Sequence, residues 1–360
     1  MNYFNEKPTI AKRKPHKRKP EIVVQSETCK LLYDQFLEFK MKQNLRPGTL
    51  NKFVLTFKTL EAFHQERAQH PFYLADITTD FISDWVYYMK NEMVRFEGHH
   101  YKPESAQTVG LADATIETRI RNLKTFVNWT VKQGLIQKNP FDTWEGFRKD
   151  AHTIDILTRE ELDNLLAVAK KHSKKSFKHF RDYCLLHLLI DGMYRITEAL
   201  MISPHDIDHV NRTIIIQSGN AKSRKARIVP LANQTYRLLV ELMKENEAFE
   251  DDVDDLLFLS LSGRMLSKNN FLRDTRAYAI EAGITKRYYL HLLRHSAATH
   301  YLSSKEGDIE SLRLILGHAD LRTVLIYAHM ADSTVIEKHS KAGFFGSDNL
   351  ISRKRDNKRK

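Results

Sequence analysis

Cysteine, glycine and long apolar runs are scarce in this chain, and each scarcity removes a class of protein. Two cysteines in 360 residues, Cys29 and Cys184, cannot build a disulfide scaffold or a cysteine zinc cage. Thirteen glycines are present and none belongs to a GxxxxGK[ST] run, which argues against an ATP-driven P-loop machine. No stretch approaches the roughly 18 consecutive apolar residues of a spanning helix. The basic N-terminus lacks the apolar core of a secretory signal. The sequence therefore predicts a cytoplasmic protein without a membrane partner. Disorder throughout is also excluded, because 42% of the residues are hydrophobic and can fill real cores.

Charge is plentiful and unevenly placed. Lys plus Arg number 57 against 45 acidic residues, a net charge of +12. Residues 1–20 carry seven Lys/Arg and one Glu, and residues 341–360 carry seven Lys/Arg and two Asp. The two tails thus hold +11 of the +12, and the body between them is nearly neutral. Both tails lack apolar periodicity and are expected to be largely disordered. Such blocks suit a polyanion, since Lys and Arg neutralise phosphates and release counterions. Any nucleic-acid face on the body must come from segregation of its charges.

The length predicts two domains. Apolar spacing of three and four predicts helices after Ser26-Glu27-Thr28, from Thr49, after Thr79 and from about Ala114. Asn44-Leu45-Arg46-Pro47-Gly48 reads as a turn, and 95–113 as a loop or insertion. The aromatic stripe of this half is most simply core. Residues 141–156 are the expected linker. Thr158 and Glu161 form a capping box that opens the second half. Helices are expected near 158–171, 178–191, 233–245, 268–282, 291–303, 308–316 and 320–328. The one convincing β signal is β-branched Thr213–Ile216, a basic turn at 218–225, and an extended return at 226–230. The fold class is therefore mainly α, with a small sheet in the second domain.

Several polar residues of that domain stand beside structural punctuation. Arg195 follows Gly192 at the end of an apolar helix, and Lys222 lies in the hairpin turn. His291 and Arg294 share a helix face through i,i+3 spacing. His318 follows Leu316-Gly317, and Tyr327 lies nine residues beyond it. Singly, each has a plain explanation: an arginine paired with Glu198, a solvated lysine, a half-buried tyrosine. Together, Arg and His donors suit a phosphoryl transition state, and a tyrosine hydroxyl can be the nucleophile.

The set resembles the tyrosine recombinase, or phage integrase, family. The segments that carry the resemblance are Asp191-Gly192-Met193-Tyr194-Arg195-Ile196-Thr197-Glu198, the hairpin Lys222 ahead of Val229-Pro230-Leu231, His291-Leu292-Leu293-Arg294-His295, and Leu316-Gly317-His318 with Tyr327. Tyr194 stands where leucine is common, one extra residue follows Gly192, and Val324 replaces a frequent threonine. The resemblance implies an N-terminal helical core-binding (SAM-like) domain over 26–140 and a mixed α/β catalytic domain over 157–345, flanked by basic tails at 1–25 and 346–360.

It further implies a site-specific recombinase that needs neither cofactor nor metal. Tyr327 would attack a phosphodiester to give a 3′-phosphotyrosyl link. Arg195 and Arg294 would hold the non-bridging oxygens, His291 and His318 would assist at the phosphate, and Lys222 would protonate the leaving 5′-oxygen. Implied partners are double-stranded DNA recombination sites, further copies in a tetramer that works through a Holliday junction, and an accessory or partner recombinase. A segment from Asp332 to Lys341 would form a short helix. Integration or excision of a mobile element is the favoured role. The rival expectations are a type IB topoisomerase-like enzyme and a non-catalytic DNA-binding protein on the same scaffold. A metal hydrolase fits poorly, because no glutamate lies between His291 and His295.

Overall fold

Four helices form the N-terminal half in the computed structural model, which describes residues 28–95, 105, 107–147, 155–217, 226–249, 253–317, 324, 325 and 327. They are α1 (Cys29–Lys42), α2 (Pro47–Arg67), α3 (Thr79–Asn91) and α4 (Asp113–Gln133). The mixed three-and-four spacing of α4 puts Ile116, Ile120, Leu123, Phe126 and Val127 on one buried face. Tyr33 and Phe36 of α1, Phe57 and Leu60 of α2, and Ile82, Trp85 and Met89 of α3 complete this core. The aromatic stripe is core, as its spacing suggests. Tyr33 stacks on Phe57 at 4.5 Å between ring centroids, and Phe126 lies 4.7 Å from Tyr33.

Two sequence expectations change here. The second helix begins at Pro47, not Thr49, because proline at the first helical position lacks only an N–H that would be unpaired anyway. The 95–113 stretch is not simply a loop: strands β1 (Val94–Arg95) and β2 (Thr108–Val109) pair antiparallel within it. In the stretch expected as linker, Phe141 is buried in the N-terminal core and Trp144 and Phe147 pack against it. The chain divides into two units at His152–Thr153.

The second unit is built around α6 (Phe177–Asp191), whose residues from Arg181 to Leu189 are buried but for His187. Helices α5 (Arg159–Ser173), α8 (Asn233–Asn246), α9 (Lys268–Glu281) and α10 (Leu290–Ser303) pack around it. The capping box of α5 is present: Thr158 Oγ1 accepts from Glu161 N, and Glu161 Oε2 accepts from Thr158 N. A charged pair, Arg181 and Asp182, sits inside this core. Arg181 donates to Asp182 at 2.7 Å and to the Leu259 carbonyl at 2.7 Å, so its buried charge is matched.

A short helix α7 (Ile196–Ala199) precedes the sheet, whose strands β3 (Ile207–Asp208), β4 (Thr213–Ile216) and β5 (Arg227–Pro230) run antiparallel in chain order. Ile216 pairs with Arg227, so the segment holding Lys222 connects two neighbouring strands. Helix α11 (Ile309–Leu316) packs on α10 and β5. Gly317 ends it with φ +63°, and a Cβ there would lie 2.8 Å from Arg227 Cδ. Glycine is thus required by both conformation and space. The predicted helix near 320–328 is seen at Val324, Leu325 and Tyr327. The helix expected over 332–341 and both basic tails lie outside the described residues.

All three tryptophans, Trp85, Trp129 and Trp144, belong to the N-terminal unit, so tryptophan fluorescence reports that unit alone. Truncation of the fully buried Phe126 by Phe126→Ala should lower its stability by about 3–5 kcal/mol. Urea unfolding followed by tryptophan emission measures this.

Candidate active site

Arg195 is positioned by the end of α6. Gly192 closes that helix, and a Cβ on it would meet the Tyr194 ring at 2.0 Å, so only glycine lets the buried tyrosine fold back. Met193 then takes φ +51°, an uncommon left-handed conformation for a side-chain-bearing residue. Arg195 follows as the cap of α7. Its backbone N–H donates to Glu198 Oε2 at 3.3 Å, and its Nη1 donates to Glu198 Oε1 at 2.7 Å.

Glu198 is 1% exposed and holds a second arginine. Arg227 Nη2 donates to Glu198 Oε2 at 2.7 Å, and Arg227 Nε to the Ile315 carbonyl at 2.9 Å. Burial opposes ionisation of Glu198. The hydrogen bonds and charges of Arg227 and Arg195 outweigh it and hold the carboxyl down at about 2. The pairing of Arg195 with Glu198 that seemed its plain explanation is real, and it orients the arginine.

Arg294 is 1% exposed on α10. Its Nη1 donates to the Met193 carbonyl at 2.5 Å and its Nη2 to the Leu316 carbonyl at 2.9 Å. These bonds join the segment after α6 to the end of α11. Burial, then the charge of Arg195, press its pKa down to about 10, so it stays a cation at neutral pH.

Tyr327 is 3% exposed and belongs to a small cluster with Ala298, Leu302, Leu312, Leu316 and Val324. Burial raises its pKa, while the Arg294 charge, a hydrogen bond from Arg294 and the Arg195 charge act the other way. His295 links it to His291: its ring lies 5.5 Å from that of Tyr327 and 4.5 Å, edge-on, from that of His291. His291 itself is exposed. Burial and the Arg294 charge lower the His295 pKa and favour its neutral ring.

Of the six residues singled out in the sequence, the structure describes Arg195, His291, Arg294 and Tyr327. Lys222 and His318 lie outside the described residues. Two neighbours were not among these six: Arg227, and His295, which the sequence marked only as part of a motif. Arg227 stands on the same strand face as the buried Val229, and that two-residue alternation is the signal that could have marked it. His295 lies one turn after His291, which places both on one face. Among the described residues, Arg195 and Arg294 act on the tyrosine and Arg227 shares Glu198 with Arg195, a grouping of guanidinium donors suited to a phosphate.

Glu198→Gln should loosen Arg195 and Arg227 together and destabilise the fold. Because the native pKa lies below the ordinary 4.5, the wild-type advantage is full above about pH 4.5 and shrinks as pH falls towards 2. Urea unfolding of both proteins by circular dichroism at a series of pH values measures it.

Comparison with known proteins gives the family and the fold. A sequence model of the phage integrase family matches residues 155–334, and one of the phage integrase SAM-like domain matches residues 32–149. Tyrosine recombinase XerD of Oceanobacillus iheyensis is 30% identical over 224 residues, 61% of this chain and 73% of that protein. Tyrosine recombinase XerC of Chlamydia trachomatis is 27% identical over 288 residues, 79% of this chain and 88% of that protein. Among solved structures, the Tn1549 transposon integrase in complex with a circular intermediate DNA is similar with a TM-score of 0.65 at 19% identity, covering 84% of this chain and 95% of that one. XerH recombinase bound to a palindromic difH substrate gives 0.61 at 22% identity, covering 81% and 79%. The mainly helical fold, with its SAM-like N-terminal domain and mixed catalytic domain, is shared with these structures. The chain belongs to the phage integrase family and is a tyrosine-type site-specific recombinase.

Proposed function

We propose that this recombinase cleaves and rejoins double-stranded DNA with Tyr327 as nucleophile, and that it serves integration or excision of a mobile element. The observation that carries the assignment is that Tyr327 packs in one cluster with Met193 and Leu316, the two residues whose carbonyls hold the buried Arg294, so that the charges of Arg294 and Arg195 act on its hydroxyl. A scissile phosphate received by Arg195 and Arg294 would lie beside the tyrosine hydroxyl. Attack by Tyr327 Oη on phosphorus forms the 3′-phosphotyrosyl bond and breaks the bond to the 5′-oxygen. The two arginines stabilise the charge that grows on the non-bridging oxygens. Lys222 delivers the proton to the departing 5′-oxygen, and His291 and His318 hydrogen-bond the phosphate and take up the proton that the tyrosine hydroxyl gives up. Attack by a 5′-hydroxyl reverses these steps and releases Tyr327, so no external energy source is consumed.

Four protomers on two duplexes would exchange strands in pairs through a Holliday junction. Membership of the family supports this finer reading. The mobile-element role rests on the sequence beyond a minimal two-domain recombinase, in the two basic tails and the 95–113 insertion.

The test is capture of the covalent adduct. Wild type and Tyr327→Phe are incubated with DNA from the flanks of the gene, denatured, and the attached DNA is sequenced. A discrete adduct site in wild type, absent from a Tyr327→Phe protein that still binds DNA, is expected. A site at the borders of the surrounding element supports the mobile-element role, and a site elsewhere removes it. Adducts without sequence preference would indicate topoisomerase-like action. Binding without any adduct would remove Tyr327 as nucleophile on this DNA.

A further inference from the structure

The N-terminal unit contains a cluster that the DNA chemistry does not use. Among the described residues, His64, His70 and Asp76 form the single group of three metal-ligating side chains whose ligand atoms all lie within 4.8 Å of one another. His64 sits in the last turn of α2, His70 in the connection that follows, and Asp76 in the 3₁₀ turn Leu74–Asp76 before α3.

The most telling of the three is His64. It is 4% exposed and its ring packs 4.7 Å from that of Phe72. Yet its Nε2 is buried without a hydrogen-bond partner, although Asp76 Oδ2 is only 3.4 Å away. A buried imidazole nitrogen is ordinarily paired. A separation of about 3.4 Å is also the edge of a tetrahedron with metal–ligand bonds near 2.0–2.1 Å. Asp76 is fixed from behind, because its Oδ2 accepts the Tyr73 N–H at 2.8 Å. Such a hydrogen bond to a ligating carboxylate is the usual outer support of a metal site.

His70 closes the group. Its Nδ1 is 3.8 Å from Asp76 Oδ2, and its ring stands edge-on to His64 at 5.0 Å. The side chain is 54% exposed and so has room to turn. Coordination requires only that Nδ1 exchange its present contact with the Pro71 carbonyl for the metal. The three residues border a cleft of about 420 Å³ that Asp80 and Asp84 also line, leaving a fourth position open to water or a carboxylate.

We propose that His64, His70 and Asp76 bind a zinc ion that clips the connection between α2 and α3 onto the end of α2. Two imidazoles and one carboxylate form a donor set that zinc accepts. The site is structural, and no step of DNA cleavage passes through it.

Zinc binding to the full-length protein, stripped of metal, is measured by competition with a chromophoric chelator. Tryptophan-monitored urea unfolding is followed with and without zinc, since that signal comes from the N-terminal unit alone. Wild type should bind one equivalent tightly and unfold at higher urea with zinc. His70→Ala, at an exposed position that tolerates truncation, should weaken binding by about tenfold or more and lose the urea shift. Asp76→Asn should do the same, with the isosteric amide oxygen still able to accept from the Tyr73 N–H. His205→Ala, a control at an 87% exposed histidine of the other unit, should change neither. Absence of tight binding by wild type, or binding and a urea shift that survive in His70→Ala, would overturn the site.

Discussion

A buried arginine must spend its hydrogen bonds well, and the catalytic unit is arranged around one that does. An unpaired guanidinium out of water costs several kcal/mol. Arg294 meets that constraint with the carbonyls of Met193 and Leu316, which come from opposite ends of the unit's sequence. Those carbonyls are available only because α6 stops at Gly192 and α11 stops at Gly317. The left-handed turn at Met193 and the glycine C-cap of α11 therefore serve the same side chain. Tyr327 then packs against a framework that Arg294 has already fixed.

The charge balance follows from the same constraint. Glu198 accepts from Arg195 and Arg227 and stays ionised despite its burial. Arg294 spends two of its hydrogen bonds on carbonyls, so the cation it keeps is held in place by backbone oxygens. Tertiary packing thus stores an electrostatic preference that composition, with its nearly neutral body, does not reveal. Arg227 shows how such a preference is assembled. It lies on a strand of the sheet, yet its guanidinium bonds to residues of α7 and α11.

Much of this was legible in the sequence, for physical reasons that can be named. Helices with one apolar face, such as α4 and α5, declare themselves through spacing and caps. Arg195, His291, Arg294 and Tyr327 stood out because glycine punctuation and fixed intervals accompany them. The start of α2 was misplaced because Pro47-Gly48 looks like a turn until packing commits the following residues to a helix. The pair of two-residue strands around 95–109 is too short for any alternation to show. Arg227 was hidden in a basic run, where only its strand register separates an inward arginine from solvated ones. His64 and Asp76 were invisible for another reason: twelve positions apart, they meet only through the path of the chain between α2 and α3.

Tyr327 is nearly as inaccessible as the leucines around it, and this has a consequence for when the enzyme can act. On the proposed assignment of Tyr327, a nucleophile kept as a core residue is not presented to every duplex the protein touches. Uncovering an aromatic ring costs on the order of 1.5–3 kcal/mol, which makes the exposed form roughly ten- to a hundred-and-fiftyfold rarer than the covered one. Contacts that form only on a proper site can repay that difference, and stray phosphates cannot. On that assignment, the hydrophobic packing around one hydroxyl acts as a safety catch on cleavage.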